Sequence, residues 1–278
     1  MIMNGKEVAL KIKEKLIKEV NLLEKKPGLA VIQVGSDPAS SIYVKSKAKL
    51  AKEIGYEFEH LQFPENVSED ELIKTIDEIN SSDKISGVIV QLPIPKHLNV
   101  DKIINRIDPI KDVDGLTEIN AGKLLTSKAS LVSCTPKGIM TLLKEYEVNL
   151  EGKHVVIVGR SNLVGKPLIS LCLNQNATVT ICHSKTVSLE KYTKKADILI
   201  VAVGKASLIK SDYVKKGAIV VDVGINRIDG KLYGDVDFDE VSKKAKLITP
   251  VPGGVGPMTT ISLMENVLIS YKEIQKKR

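Results

Sequence analysis

The chain has 278 residues, 43% of them apolar and 27% charged, with a net charge of +7, no tryptophan and an aromatic content of only 4%. That is the composition of a folded protein with room for two ordinary domains, and it excludes a disordered chain. The charge comes mostly from lysines interleaved with glutamates, as on solvated helix faces, so it implies a field that attracts a small polyanion rather than a nucleic-acid surface, for which aromatic stacking groups are lacking.

The N-terminus, MIMNGKEVALKIKEKL, is amphipathic and has no apolar signal core, and no apolar run approaches the roughly 20 residues that span a bilayer. The expectation is a cytoplasmic protein with no membrane partner. The segment GLAVIQVG (28–35) is a buried strand that ends in a glycine and enters the loop SDPAS, and a helix from about Ser40 to Ile54 follows. A short strand near Phe58 to Phe63 precedes a helix opened by Ser68, with Glu71 three residues on in a capping-box pattern. SGVIVQLPIP (86–95) is another buried strand, stopped by prolines. This alternation implies a parallel sheet with helices on both faces.

After DVDGLTEINAGKLL and the helix-like TPKGIMTLLKEYEV the pattern restarts. HVVIVG (154–159), ATVTIC (177–182), ADILIVAVG (196–204), AIVVDVG (218–224) and KLITPV (246–251) predict a second doubly wound α/β unit, of Rossmann type. The closing segment TTISLMENVLISYKEIQ has apolar residues at helical spacing, and QKKR at its end is the only concentrated basic cluster. Cys134, Cys172 and Cys182 are odd in number and form no CxxC pair, and His60, His97 and His154 stand alone, so neither a disulfide framework nor a metal site is expected.

VVIVGRSNLVGKP (155–167) follows a strand and opens a helix, which places Gly159 and Gly165 where the chain needs a tight turn and close approach to a pyrophosphate. Their spacing is Gly-x5-Gly rather than G-x-G-x-x-G, so a purely structural turn is the alternative. A ribose 2′-hydroxyl calls for an acid about 20 residues past such a loop, and a 2′-phosphate calls for cations and hydroxyls. The second strand ends ICHSKT, without an acid. Arg160 and Ser184, with His183 or Lys185, suit a dianionic phosphate, which predicts NADP rather than NAD.

SSIYVKSKAKLAKEIG (40–55) raises a different question. On a helical wheel with Tyr43 at zero, Leu50 and Ile54 fall within roughly 20°, Ala51 near about 80° and Val44 near about 100°. Lys45, Lys49, Lys52 and Glu53 fall between about 180° and 280°, whereas Lys47 falls at about 40°, inside the apolar arc. An inward lysine either snorkels to an edge or is held in a cleft, where lost solvation lowers its pKa into a range useful for proton transfer. Tyr43, one turn earlier, offers the same ligand a ring face and a hydroxyl. A Tyr-x-x-x-Lys pair also occurs in short-chain dehydrogenases, but there it follows the glycine loop within one domain, and here it precedes the loop in a separate unit.

VGSDPASSIYVKSKAKLAKEIG, VIVQLPIPKHL, DVDGLTEINAGKL, CTPKGIMTLL, VIVGRSNLVGKPL, VTICHSKT and ITPVPGGVGPMTTISLMENVL together closely resemble the bifunctional methylenetetrahydrofolate dehydrogenase/methenyltetrahydrofolate cyclohydrolases, in register over essentially the whole chain. Two small departures are Asn4, where an Asp is usual before Gly-Lys, and Ser133, where a Pro often precedes Cys-Thr-Pro. The resemblance implies a folate-binding catalytic domain (1–119 with 260–278), a Rossmann NADP-binding domain (120–259), an active-site cleft between them, and a homodimer. It implies oxidation of 5,10-methylene-tetrahydrofolate with NADP and hydrolysis of the product to 10-formyl-tetrahydrofolate, reactions that feed purine biosynthesis.

By motif, Lys47 transfers the proton, Tyr43 packs against the folate, Gln91 tunes the lysine and Asp114 grips the pterin. Pro252, Gly253 and Gly254, in the loop PVPGGVGPMT (250–259), lie against substrate and nicotinamide. Gly159, Arg160, Ser161, Gly165, Ser184 and Ile225 hold the cofactor, and Asp222 and Thr259 line its cleft. Physical sense supports the substrate residues independently. A carboxylate accepts both N–H groups of a pterin edge, for which Asp112 competes with Asp114, and Gln91 sits just past a strand's carboxyl end, as a ligand-facing residue or a simple polar strand cap. A dehydrogenase without cyclohydrolase activity and a non-enzymatic NADP-binding sensor or scaffold are the alternatives.

Overall fold

Helix α1 (Gly5–Asn21) starts at Asn4, whose carboxamide accepts from Glu7 N (3.3 Å) and donates to Glu7 Oε1 (2.6 Å). A carboxylate there could only accept, so the departure at position 4 gains a side-chain bond to Glu7. The computed structural model describes residues 1–277, so Arg278 of the QKKR cluster lies outside the described residues. Two compact units divide the chain, one of Lys11–Cys134 with the residues from Leu263 onward, the other of Met1–Leu10 with Thr135–Ser262.

The first unit is built on a three-stranded parallel sheet. In chain order it holds β1 (Gly28–Val34), α2 (Pro38–Ile54), β2 (Glu57–Phe63), α3 (Glu69–Ser81), β3 (Gly87–Gln91), α4 (Val100–Asn105) and α5 (Glu118–Leu125). The strand order is β2-β1-β3, with Gln33 paired in register to Gln91 at the carboxyl ends. Every β1 residue is buried, as a central parallel strand requires, and β2 at the edge is mostly exposed. Ala30, Ile32, Leu72, Ile76, Val88 and Ile103 close one face of the sheet under α3 and α4. Ser68 caps α3 as predicted, its hydroxyl accepting from Glu71 N. β3 ends at Gln91, short of the predicted residue 95, because Pro93 and Pro95 have no N–H for a ladder. Helices α4 and α5, capped by Asn99 and Thr117, were not predicted.

The second unit follows α6 (Cys134–Glu145) and carries β4 (His154–Val158), α7 (Gly165–Leu173), β5 (Thr178–Cys182), α8 (Glu190–Thr193), β6 (Ile198–Val201), β7 (Ile219–Asp222), the hairpin β8 (Asn226–Ile228) and β9 (Lys231–Tyr233), α9 (Phe238–Val241), β10 (Leu247–Ile248) and the start of α10 (Val255–Lys276). Its five-stranded sheet is wholly parallel in the order β10-β7-β6-β4-β5. The chain steps from β4 outward to β5 and returns to β6 on the other side, so the switch point lies between β4 and β6. Only one strand stands beyond it, since the stretch between β5 and β6 holds nothing longer than the four residues of α8.

Residues 1–3 run beside β10, with Met3 N donating to Ile248 O (2.8 Å) and Ile248 N to Met1 O (3.1 Å). That pairing groups Met1–Leu10 with the five-stranded unit. The hairpin β8–β9 turns at Asp229–Gly230, both with positive φ, the Asp-Gly signature of a two-residue turn. β10 is two residues long, not six, because Pro250 and Pro252 stop it. α10 begins at Val255, inside the stretch predicted to be loop through 259, because Pro257 in a first helical turn gives up no hydrogen bond.

Candidate active site

Lys47 lies on α2, where Asp37 caps the first turn by accepting from Ser40 N (2.7 Å) and Gly55 ends the helix with φ +94. The buried arc is formed by Ser40, Val44, Ala51 and Ile54, so its centre is rotated by about 60° from Tyr43 on the wheel. Tyr43 is thus at the rim and 52% exposed, and Lys47 is closer to the centre of the arc, half-buried. Its Nζ donates to Gln91 Oε1 at 2.6 Å. The Gln91 amide nitrogen donates to Leu92 O at 2.8 Å, and a carbonyl accepts only, so the Gln91 oxygen must face the lysine. The pairing of β1 with β3 sets this geometry, since α2 leaves the end of β1 and Gln91 ends the neighbouring strand.

Burial pulls the Lys47 ammonium below the ordinary lysine pKa, and the charges of Asp114 and Cys134 partly restore it. Burial also pushes the Asp114 carboxyl up, with nearby Asp112 adding to the rise, against the lowering effects of Lys47 and of the neighbouring Cys134 side chain. Lys47, Gln91 and Asp114 are therefore brought together, with Tyr43 one turn away on α2.

The Asp112 carboxylate is occupied by the protein itself. It is 1% exposed, and its oxygens accept from Leu116 N, Thr117 N and Asn120 Nδ2 at 2.8–3.1 Å. Cys134 stands beside this group, although in the sequence it is only one of three thiols without a CxxC partner. Its only sequence signal is position, at the start of the CTPKGIM stretch.

In the five-stranded unit Gly159 follows β4 at the switch point with φ +127, and a Cβ there would stand 2.2 Å from Ala202 O at the end of β6. A Cβ on Gly165 would meet Gly159 O at 2.1 Å. Both glycines are required by close backbone approach in the turn that leads into α7. Ser161 shapes this turn, its hydroxyl accepting from Val164 N at 3.1 Å.

Gly159 N donates to Cys182 O at 2.8 Å, which sets exposed Arg160 beside the loop of His183, Ser184 and Lys185. In that loop Thr186 Oγ1 accepts from His183 N and His183 Nδ1 from Lys185 N, and the loop itself holds no acid. These residues fit a dinucleotide with a 2′-phosphate.

Ile225 lines one cavity of about 150 Å³ together with Pro252, Gly253 and Gly254. Gly254 is sterically fixed, since a Cβ on it would meet Pro250 O at 2.6 Å and a Cβ on Gly5 would meet Gly254 O, and Gly253 is fixed by its φ of +105. Asp222 has a structural duty. It is 3% exposed, its oxygens accept from the backbone N–H groups of Gly224, Asp235 and Val236, and burial raises its pKa to about 6. Thr259 shares a 2.9 Å hydroxyl hydrogen bond with Thr135.

A glycine turn at the switch point of a parallel sheet defines an α/β protein of the dinucleotide-binding class, and the group of half-buried Lys47 and Gln91 with buried Asp114 is of a kind suited to proton transfer. Residues 3–114 match the family model described as tetrahydrofolate dehydrogenase/cyclohydrolase, catalytic domain, and residues 133–275 match its NAD(P)-binding domain. The chain belongs to the tetrahydrofolate dehydrogenase/cyclohydrolase family.

It is 53% identical to the bifunctional protein FolD of Bacillus licheniformis over 98% of this chain and 97% of that one. Among solved structures it is similar to the bifunctional enzyme FolD, methylenetetrahydrofolate dehydrogenase/cyclohydrolase, of Campylobacter jejuni, with TM-score 0.97, 49% identity and 99% of each chain covered. It is similar also to the methylenetetrahydrofolate dehydrogenase-cyclohydrolase of Trypanosoma brucei complexed with NADP cofactor and inhibitor, with TM-score 0.94, 35% identity and 99% and 98% coverage.

Proposed function

We propose that this chain oxidises 5,10-methylene-tetrahydrofolate to 5,10-methenyl-tetrahydrofolate with NADP and hydrolyses that product to 10-formyl-tetrahydrofolate. The observation that carries the reading is the 2.6 Å hydrogen bond from half-buried Lys47 to Gln91, beside Asp114. The methenyl bridge is a resonance-stabilised cation, and an ammonium next to it is unfavourable. A lysine with its pKa lowered by burial can stand there as the neutral amine.

Neutral Lys47 takes a proton from the water that adds to the bridge carbon and returns it to ring nitrogen N5 as the carbon–N5 bond breaks, while the remaining hydroxyl proton leaves to solvent as the formyl C=O forms. Gln91 orients the amine without the negative charge that would raise its pKa. Asp114 accepts the paired N–H groups of the pterin edge, and the exposed ring of Tyr43 packs against the folate.

Oxidised NADP, when bound, supplies the acceptor for the hydride leaving the one-carbon bridge. Gly159, Ser161 and Gly165 receive its pyrophosphate, Arg160 and Ser184 its 2′-phosphate, and Ile225 its nicotinamide half. Pro252, Gly253 and Gly254 bear on the substrate side. The division of labour is the folate chemistry in residues 1–119 with 260–278, apart from the first ten, and the cofactor in 120–259. The protein works in the cytoplasm as a homodimer.

The test supplies purified protein with 5,10-methylene-tetrahydrofolate and NADP, and then with 5,10-methenyl-tetrahydrofolate alone. Formation of NADPH, and methenyl loss faster than in buffer, are expected. NADPH without accelerated methenyl loss would leave a dehydrogenase only, and NADP binding without either would leave a sensor or scaffold. Tighter binding of NAD than NADP, or an unchanged preference in Arg160→Ala, would overturn the cofactor assignment.

A further inference from the structure

We propose that Asn266, on α10, is a positioning residue for the folate site, holding the Asp114 loop in its working place. The inference rests on the reading of Asp114 given above. Asn266 is 0% exposed, and its carboxamide nitrogen donates to Val113 O and Val132 O, both at 2.8 Å, and approaches Cys134 Sγ at 3.7 Å. Val113 immediately precedes Asp114, and Val132 lies two residues before Cys134. One side chain thus ties the segment that carries the carboxylate to the segment that carries the thiol beside it.

Two further contacts make this a clamp. The Cys134 thiol donates to Val113 O at 3.3 Å, and a Cβ on Gly115, where φ is +68, would stand 2.5 Å from Ser133 N. The two segments are therefore pressed together with no side chain between them, and one carboxamide donates to a main-chain carbonyl of each. Val113 itself is 0% exposed, so when the amide is removed its carbonyl keeps the weak, longer bond from the Cys134 thiol and gains no water in place of the lost one.

A displaced 113–115 segment carries Asp114 away from the pterin edge and from Lys47. A misplacement on the scale of an ångström costs up to about a hundredfold. The charged and titratable groups that face Lys47 are Asp114 and Cys134, with Asp112 behind Asp114. Withdrawal of the Asp114 charge removes the influence that raises the Lys47 pKa, so the lysine titrates at lower pH.

The experiment compares Asn266→Ala and Asn266→Gln with Ser270→Ala in both activities. Ser270 is one turn further along α10, equally buried, and its hydroxyl donates to Ile110 O (2.5 Å) and Ser86 O, so its loss costs a similar buried hydrogen bond without touching the 113–115 segment. For Asn266→Ala the expected result is a rise of about tenfold to a hundredfold in KM for both folate substrates. KM for NADP stays as in wild type, and the lysine limb of the cyclohydrolase pH profile moves to lower pH.

Asn266→Gln, which keeps the donor on a longer arm, shows a smaller change in the same parameters and serves if the alanine variant does not fold. Ser270→Ala loses thermal stability and keeps wild-type KM. Wild-type folate KM and pH profile in a folded Asn266 variant would overturn the proposal, as would an equal KM change in Ser270→Ala. Absence of both activities in the wild type would instead refute the functional reading beneath it.

Discussion

At the scale of single residues the chemistry depends on a balance around one amine. Burial lowers the pKa of Lys47, Asp114 raises it, and Gln91 contributes a hydrogen bond without charge. Gln91→Glu keeps the size and replaces the amide with a carboxylate, which favours the ammonium. The pKa of Lys47 then rises, the pH at which the free amine becomes available moves up, and the cyclohydrolase rate at neutral pH falls, as a pH–rate profile with methenyl substrate will show. An unchanged profile would contradict the assigned role of Gln91. The inward position of Lys47 was legible in the sequence because its wheel angle depends only on helical period. Tyr43's exposure was not, since the wheel gives angles and the packing partners decide which part of an apolar arc is covered. That the Asp112 carboxylate is occupied also needed the structure, because in sequence it and Asp114 flank the same short stretch.

At the scale of elements, local rules carried the reading where an element follows its own chemistry. Ser68 caps α3 through Glu71 N, and Ser68→Ala is expected to lower unfolding free energy by about 1 kcal/mol in urea titration without altering either activity. The glycine turn after β4 is more demanding. Gly159→Ala puts a Cβ 2.2 Å from Ala202 O on a backbone with φ +127, so it is expected to cost about 1–3 kcal/mol and to abolish NADP binding, measured by calorimetry. Retained NADP affinity in that variant would show that the turn does not receive the pyrophosphate. The hairpin β8–β9 was overlooked although Asp229–Gly230 marks it, because its strands are only three residues long and lack an apolar run. The start of α10 was placed too late because its first turn, Val255–Gly256–Pro257, is rich in residues that also signal loops.

At the scale of the whole molecule, two parallel α/β units were legible from the alternation of buried strands and helices, since each such strand must be covered on both faces. The path of the N-terminus was not legible, because the pairing of Met1–Met3 with β10 joins the two most distant parts of the second unit's sequence. The units give a further expectation. NADP stabilises what it binds by about 2.7 kcal/mol at a hundred times its dissociation constant, so hydrogen exchange slowed by NADP is expected in the turns after β4 and β5. Slowing of α2 and the 112–116 segment is expected with a folate substrate analogue. The most direct test of the account is Lys47→Met assayed with 5,10-methenyl-tetrahydrofolate alongside its NADP affinity. In that variant NADP is expected to bind as in wild type while methenyl hydrolysis falls to the rate in buffer, and hydrolysis at the wild-type rate would refute the role of Lys47.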